Sequence, residues 1–388
     1  MKIKKLFLLG IVLLLSVILL AGCGDKEEEK KEESKDQTKY SNLGNFAEYD
    51  GNLYYWKLTA SSREDSALFA NYGIVIGAKN DLVKRDSNGK ETTILTDTGS
   101  GNLYIANNKI FYQLNENGEY NVYSMDLDGN NKKSYIKGEI KYADGKYLYI
   151  QSTKDIAVID VDEDLNVLTV DDSELIGMAG SYAYFVSGDS SKEISIGYIS
   201  EGVPTLNVAL FKTTDYKITE VENANITLYE FSYEKNKVTI KFGDVQGTGH
   251  FVQEGWAITM NADGSDIKKE QDNNQAEESV ISLYDIEGPV AFDVGKGIVY
   301  TENGATTTII PNAQVKSEFG FKLTTDDSED ITEVYTSCKS GDKLYIIMDN
   351  ATHNPAEDVG WRYSYKRLKT AAYSYDLKNN KIEKIYEF

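Results

Sequence analysis

The side chains of this sequence that could bind or react are mostly carboxylates. The 388 residues include 62 acidic and 41 basic side chains, but only two cysteines and two histidines. The best candidate for a metal is a run in which Asp160, Asp162 and Asp164 alternate, as the oxygen ligands of a calcium loop do. Leu165 stands where such a loop needs glycine, and Asp171 replaces its final glutamate. An acidic hairpin turn is therefore the favoured interpretation, with calcium binding as the alternative.

The other reactive side chains form no catalytic pattern. His250 and His353 lie far apart, so they could not build a three-ligand zinc site without carboxylates. Cys338 sits in the segment TSCKSGD, which is typical of a half-buried strand residue. The serine-hydrolase elbow, HExxH, CxxC and the phosphate-binding P-loop do not occur. The sequence therefore predicts no catalytic residue, no metal ion and no cofactor, and it favours a binding protein over an enzyme.

One segment combines aromatic and basic side chains in an otherwise acidic chain. It is VGWRYSYKRLKTAAYSY, residues 359–375, and its candidate binding residues are Trp361, Arg362, Tyr363 and Tyr365. Rings beside cations suit stacking on carbohydrate or contact with an anionic polymer. A strand with two different faces explains the same alternation, and that interpretation is favoured.

The first 23 residues predict export. Residues 1–5 carry three lysines, and about fifteen apolar residues follow, a run too short and wrongly flanked for an ordinary membrane-spanning helix. An uncleaved membrane anchor is the alternative. The string LAGC, residues 20–23, resembles the lipobox of bacterial lipoproteins. That resemblance implies removal of residues 1–22, thioether lipidation and palmitate-type acylation of Cys23, and attachment to the extracytoplasmic face of a bacterial cell membrane.

A charged tether is expected to follow the lipidated cysteine, so that residues 23–39 form a lipidated linker. Residues 24–39 read GDKEEEKKEESKDQTK, with seven acids, five bases and no apolar side chain. Such a segment buries nothing and is expected to be disordered and solvated. Losing the three lysines of the signal would change the net charge from -21 to -24.

From residue 40 onward the chain consists of short repeats. The first unit is a turn followed by a strand of alternating large β-formers, and its seven copies are FAEYDGNLYYW (46–56), YIANNKIFYQ (104–113), IKYADGKYLYI (140–150), IGMAGSYAYFV (176–186), FSYEKNKVTIKF (231–242), AFDVGKGIVYT (291–301) and TSCKSGDKLYII (336–347). The second unit is a hairpin with Asp, Asn or Gly at its tip, and it occurs at residues 82–95, 122–136, 157–170, 209–221, 256–269 and 373–386. These patterns are typical of strands entered through turns that accept positive φ.

Together the two units give about four antiparallel strands per repeat. No long 3.6-residue apolar stripe occurs after residue 40, so helices are not expected to be a main element. The sequence therefore predicts an all-β fold, a single β-propeller over residues 40–388. Seven blades are favoured, with six or eight as alternatives, and two β-sandwich domains are the second architecture. The final strand, KIEKIYEF, is a candidate to close the ring beside residues 42–49.

The repeats also carry a resemblance. A Gly/Asn-Lys-φ-φ-Tyr strand alternates with a φ-x-x-x-Asp-x-x-Gly hairpin, where φ is an apolar residue. This alternation resembles the uncharacterised propeller domain of bacterial surface lipoproteins, which is related to the low-density-lipoprotein-receptor type. The resemblance covers most of residues 44–388 and implies a propeller. The Tyr-Trp-Thr-Asp string of the receptor type is replaced by Tyr55-Trp56-Lys57-Leu58.

The net charge of the chain and its expected location limit the classes of function that fit the sequence. A net charge of -21 repels phosphate backbones, so a nucleic-acid partner is not expected. The favoured hypothesis is a lipid-anchored extracytoplasmic binding or scaffolding protein whose propeller engages a protein or an envelope glycan. A hydrolase or lyase with carboxylates at the propeller mouth is one alternative. An accessory or sensory component of a membrane complex is the other.

Overall fold

The computed structural model describes residues 39–60, 67–68, 79–98, 101–116, 119–189, 193–212, 226–246, 251–272, 289–293, 295–302, 305–318, 330–353 and 364–388. They belong to one unit, Thr38–Phe388. Cys23 and residues 1–38 as a whole lie outside the described residues. Within the described part, no helix is long and apolar enough to cross a membrane.

Strands account for most of the described chain. In chain order, the first seventeen are β1 (Phe46–Tyr49), β2 (Asn52–Ala60), β3 (Ala67–Leu68), β4 (Lys79–Arg85), β5 (Glu91–Thr98), β6 (Leu103–Ala106), β7 (Lys109–Glu116), β8 (Glu119–Asp126), β9 (Lys133–Lys137), β10 (Glu139–Ala143), β11 (Tyr147–Gln151), β12 (Ile156–Asp160), β13 (Leu165–Val170), β14 (Ser173–Ala179), β15 (Tyr182–Asp189), β16 (Glu193–Ser200) and β17 (Val203–Lys212). The others are β18 (Ile226–Glu234), β19 (Lys237–Gln246), β20 (Phe251–Asn261), β21 (Lys268–Asp272), β22 (Val290–Asp293), β23 (Gly297–Glu302), β24 (Ala305–Pro311), β25 (Asp330–Ser340), β26 (Lys343–His353), β27 (Ser364–Asp376) and β28 (Lys381–Glu387).

The strands form seven antiparallel sheets in series. Sheet 1 has the order β1-β2-β4-β5, sheet 2 β6-β7-β8-β9, sheet 3 β10-β11-β12-β13, sheet 4 β14-β15-β16-β17, sheet 5 β18-β19-β20-β21, sheet 6 β22-β23-β24 and sheet 7 β25-β26-β27-β28, with β3 paired to β27. The seven copies of the first repeat all contribute to the second strand of a sheet, through Tyr55, Tyr112, Tyr149, Tyr184, Ile240, Tyr300 and Ile346. The predicted all-β fold is confirmed.

Two details differ from the predicted repeats. The unit at residues 209–221 was expected to be a hairpin, but its described part, up to Lys212, is the end of β17. The hairpin of sheet 4 turns earlier, at Glu201 and Gly202, both of which have positive φ. In sheet 6, β24 is followed by a helix, α1 (Asn312–Glu318), and the described residues contain no fourth strand for that sheet.

Apolar clusters fill the space between neighbouring sheets. They join sheet 1 to 2, 2 to 3, 3 to 4, 4 to 5, 6 to 7 and 7 to 1. Tyrosines of the second strands are central to them, and Tyr54, Tyr112, Tyr149 and Tyr184 are fully buried. Each such ring buries a large apolar area, so these clusters supply most of the packing free energy between sheets.

Polar side chains on the second strands also tie each sheet to the next one. The indole of Trp56 in sheet 1 donates to the carbonyl oxygen of Gly101, just before sheet 2, at 2.8 Å. The amide oxygen of Gln113 in sheet 2 accepts from the backbone N–H of Ile140 in sheet 3 at 2.7 Å. Buried polar groups cost free energy unless they are paired, so these bonds fix how adjacent sheets meet.

Sheets 1 and 7 meet without sharing a strand, and we call their contact the seam. In the described part, β28 pairs only with β27, so the predicted pairing of the final strand beside residues 42–49 is wrong. Aromatic rings cross the seam instead. Phe46 stacks on Tyr345 with ring centroids 5.1 Å apart and on Tyr55 at 5.6 Å, and Tyr55 stacks on Tyr386 at 5.8 Å.

The residues before β1 connect the seam to sheets 2 and 3, and we call residues 39–44 the clasp. Its backbone runs along the edge of β6, where Gly44 exchanges two hydrogen bonds with Leu103 at 3.1 and 2.8 Å. Lys39 and Tyr40 both contact Asp162 of sheet 3. The clasp thus connects the first strand of sheet 1 to sheets 2 and 3.

Candidate functional site

A polar cavity opens at the seam, with a volume of about 630 Å³. Sheet 1 contributes the end of β1, the start of β2 and the turn between β4 and β5. Sheet 7 contributes the turn between β25 and β26 together with residues of β27 and β28, and the clasp contributes Tyr40 and Asn42. Volumes of this size are usual for sites that bind small molecules.

Two tight turns shape the sheet 1 side of the cavity. Asp50 and Gly51 connect β1 to β2, both with positive φ, as a two-residue hairpin of this kind requires. In the second turn, one carboxylate oxygen of Asp86 accepts from the backbone N–H groups of Asn88 and Lys90, both at 2.9 Å. Short turns held by such bonds present their side chains in a fixed arrangement.

Glu48 lines the cavity and joins sheet 1 to sheet 7 across the seam. It lies on β1 and accepts hydrogen bonds from three groups of sheet 7: the Tyr345 hydroxyl, the Lys343 ammonium at 2.9 Å and the Ser340 hydroxyl at 3.0 Å. Burial alone would raise the pKa of Glu48, but the hydrogen bonds from Tyr345 and Lys343 outweigh it and hold that pKa below 4.5. The carboxylate is therefore the charged acceptor that joins both sheets.

A second contact across the seam also lines the cavity. Arg85, at the end of β4, donates to the carbonyl oxygen of Ile385 at 3.3 Å and faces Glu383 at 3.4 Å. Glu383 is largely exposed, so this ion pair adds little stability. The cavity therefore carries cations and carboxylates on both of its sides.

We predict that Glu48→Gln lowers the free energy of unfolding by about 1 kcal/mol at pH 7, because three donors lose a charged acceptor. The pKa of Glu48 is lowered by folding, so its contribution is complete above pH 4.5 and disappears as the pH falls through the lower folded pKa. The difference between wild type and variant should therefore shrink below that pH. Urea unfolding at a series of pH values measures it. Glu383→Gln is the control, and its difference should stay near zero at every pH; an equal effect of both variants would contradict the role of Glu48.

The acidic run at Asp160 is a hairpin turn between β12 and β13, as the favoured interpretation had it. Each of its three aspartates faces a lysine, in the pairs Asp160–Lys146 at 2.8 Å, Asp162–Lys39 at 2.6 Å and Asp164–Lys109 at 2.7 Å. One carboxylate oxygen of each aspartate is thus paired with an ammonium group. Over the described ranges, no group of three or more His, Cys, Asp or Glu side chains is arranged to hold a metal.

Cys338 is more buried than the sequence indicated. Its thiol lies inside the seam, 3.5 Å from the carbonyl oxygen of Phe46 and 3.8 Å from the side-chain amide nitrogen of Asn42. Burial raises the pKa of this thiol to about 12, so it stays protonated at neutral pH. It is a packing residue rather than a nucleophile.

The structure does not test the predicted aromatic and basic site. Trp361, Arg362 and Tyr363 lie outside the described residues. Tyr365 lies in β27, where its backbone pairs with Ala67 of β3 and His353 of β26. These candidates remain predictions, as does the lipidation of Cys23.

The comparisons with known proteins concern the fold. No family model matches the sequence, and no curated protein matches it. The β-propeller domain of the Trilobed protease from Pyrococcus furiosus, described as having an open velcro topology, is 9% identical, with 90% of this chain and 98% of that chain covered and a TM-score of 0.40. For the N-terminal domain of Nup159 the identity is 9%, the coverage 80% and 93%, and the TM-score 0.38.

A peptidase also matches in structure. Pyrococcus horikoshii acylaminoacyl peptidase is 11% identical, with 91% of this chain and 53% of that chain covered and a TM-score of 0.40. The chain thus spans about half the length of that peptidase. Because these TM-scores are below 0.5, the architecture of this chain is assigned from its own sheets and not from these structures. Sequence identities of 9–11% carry no information about activity.

Sequence reasoning missed the seam cavity. Its walls combine Glu48 with Lys343 and Arg85 with Glu383, pairs separated by 295 and 298 positions. The available signal was indirect: Asp-Gly and Asp-Ser-Asn-Gly turns mark two of its edges. The predicted closure placed the final strand beside residues 42–49, but it did not indicate which side chains would face one another there.

Proposed function

We propose that this protein is a lipid-anchored binding or scaffolding protein on the extracytoplasmic face of a bacterial membrane. Its domain would be a seven-bladed β-propeller related to those of bacterial surface lipoproteins and of the low-density-lipoprotein-receptor type. The observation that carries the binding role is the polar cavity at the seam, where two sheets present fixed side chains of both charges. The lipobox-like string and the charged tether support the location.

The ring of seven blades is supported by the order of the apolar clusters. They connect the sheets in the sequence 6, 7, 1, 2, 3, 4 and 5, so the first and last sheets of the chain are neighbours. One contact, between sheets 5 and 6, would then complete the ring. Such a ring leaves no long sheet face exposed, which is how propellers bury their cores.

The enzymatic alternative requires carboxylates whose pKa is raised and which meet at one mouth. On the first strands of the sheets, Glu48 is bonded to Lys343, and Asp293 faces Lys296 at 3.0 Å. The hydrogen bond from Lys296 lowers the pKa of Asp293, so both carboxylates are ionised at neutral pH. Neither of these two carboxylates is therefore placed to donate a proton. Burial raises the pKa of a third carboxylate, Asp144 after β10, but it accepts a hydrogen bond from Tyr149 and does not line the cavity.

We predict that Cys23→Ala moves the protein from the membrane fraction to the soluble or secreted fraction and abolishes labelling by a radioactive palmitate precursor. Removing the thiol removes the atom that would carry the lipid. Cys338→Ala is the matched control, because Cys338 is the other cysteine of the chain and is buried; it should keep both labelling and membrane attachment. Unchanged labelling of Cys23→Ala would overturn the proposed anchor.

A pull-down tests the binding role. The full protein, anchored through Cys23, is compared with a soluble form of residues 24–388. Each form is cross-linked to envelope components of the cells that produce the protein and is then purified with whatever it has captured. Recovery of the same protein or glycan with both forms would support a binding module. Turnover of envelope glycan or peptide by the purified soluble form would favour the hydrolase or lyase, and recovery of the anchored form only within a membrane complex would favour the accessory role.

A further inference from the structure

We infer that the seam cavity binds a short neutral oligosaccharide, an inference that rests on the binding function proposed above. The cavity is lined by side chains that both donate and accept hydrogen bonds, such as Asn52, Asn88 and Ser374. A sugar hydroxyl also donates one hydrogen bond and accepts others, so neighbouring hydroxyls match such a lining.

The charges of the cavity argue against other small ligands. An anion such as phosphate would meet the carboxylates of Glu48 and Glu383, and a metal cation would meet Arg85 and Lys343. An apolar ligand would leave all four charged groups desolvated and without new partners, which is costly. A neutral ligand rich in hydroxyls can donate to the carboxylates and accept from the cations at the same time.

The walls also offer apolar surface to the carbon skeleton of a sugar. The half-buried ring of Tyr40 stands at one edge of the cavity, and the side chains of Leu53 and Ile385 lie on the two sides of the seam. A pyranose ring has hydroxyls around its rim and C–H groups on its faces. Apolar surface for orientation together with a few fixed polar groups is the usual composition of small-molecule sites.

The polar groups are held in place before any ligand arrives. The Asp86 carboxylate fixes the turn that carries Ser87 and Asn88, and Glu48 holds Lys343 and Tyr345. Binding therefore requires little ordering of side chains, which lowers the entropic cost of association. The site suits a ligand of two to four sugar units that lies along the seam.

The test measures binding of maltotetraose, cellotetraose, chitotetraose and mannotetraose to the soluble form of residues 24–388 by isothermal titration calorimetry. We expect one of these probes to bind saturably, with a Kd between about 10 μM and 1 mM. Asn88→Ala removes an amide that can donate and accept hydrogen bonds on the cavity wall, and it should weaken that binding about tenfold. The matched control is Asp128→Ala, because Asp128 occupies the corresponding exposed position of the turn between β8 and β9, away from the cavity.

The outcomes separate this inference from the proposed function. Binding that is weakened in Asn88→Ala and kept in Asp128→Ala supports the site, provided that both variants keep the thermal unfolding midpoint of the parent. Unchanged affinity in Asn88→Ala, or the failure of all four probes to bind, overturns it. If an envelope protein is captured while no probe binds, the binding function stands and the oligosaccharide site does not. If Cys23→Ala stays lipidated while a sugar binds, the anchor fails and the site stands.

Discussion

Replacing Phe46 with alanine is expected to lower the free energy of unfolding by about 3–5 kcal/mol, as is usual for a fully buried ring. Phe46 is 1% exposed, and its ring is stacked between Tyr55 of its own sheet and Tyr345 of the last sheet. Its removal leaves a cavity at the one junction where the chain's first and last sheets meet. The loss would be a large part of the stability of a typical domain, and urea unfolding measures it.

Phe111→Ala is the matched control for Phe46→Ala. Phe111 is equally buried, but it packs between sheets 2 and 3, whose strands follow each other in the chain. Both variants should lose similar free energy, yet hydrogen exchange should differ: β1, β25 and β28 should exchange faster in Phe46→Ala, and β7, β10 and β11 in Phe111→Ala. Equal acceleration of all sheets in Phe46→Ala would contradict a local opening of the seam.

Polar side chains make the hydrogen bonds that join sheet 1 to sheet 7 at the cavity. Among the described residues, no backbone hydrogen bond joins sheet 1 to sheet 7. Glu48 and Arg85 therefore connect the two sheets where no strand is shared. The space between these two side chains remains open to solvent. The same feature that weakens the junction creates the cavity, so binding a ligand there should also stabilise the domain.

The strands were predictable because their signals are local. Asp50-Gly51 and Asn107-Asn108 adopt positive φ between paired antiparallel strands, as their composition indicated. The hairpin of sheet 4 was predicted at residues 209–221, but the chain turns at Glu201 and Gly202, two residues before Pro204. β17 is an edge strand of sheet 4, where a missing N–H costs little, so the proline is tolerated.

The site was not predictable from the same signals. The partners across the seam lie almost 300 positions apart, and no periodicity links residues at that separation. The clasp was also missed. Tyr40 and Gly44 fall within the predicted propeller, but no pattern in the sequence indicated their contacts with Asp162 and Leu103. Local composition indicates where the strands lie. The contact between the first and last sheets depends instead on how the sheets are arranged in space, which local composition does not indicate.

Gly44→Ala is expected to destabilise the domain by about 2–4 kcal/mol through steric overlap and backbone strain. A Cβ at Gly44 would lie 2.8 Å from the Cβ of Cys338, and the backbone there has a φ of +152°. Relief requires the clasp to move away from sheet 7, and this would break the two hydrogen bonds between Gly44 and Leu103. Thermal and urea unfolding measure the loss.

Gly51→Ala separates the two causes, because Gly51 also has a positive φ, +71°, but nothing lies within 4 Å of its added Cβ. That variant carries backbone strain without overlap, so it should lose only about 1 kcal/mol.

Adding Cys338→Gly removes the atoms that Gly44→Ala would strike, and a double-mutant cycle should give a favourable coupling of about 1 kcal/mol or more. Equal losses in Gly44→Ala and Gly51→Ala, or a coupling near zero, would mean that the clasp is not held against the seam. A coupling of the expected size would show that Gly44 of the clasp packs directly against Cys338 inside the seam, beside the cavity.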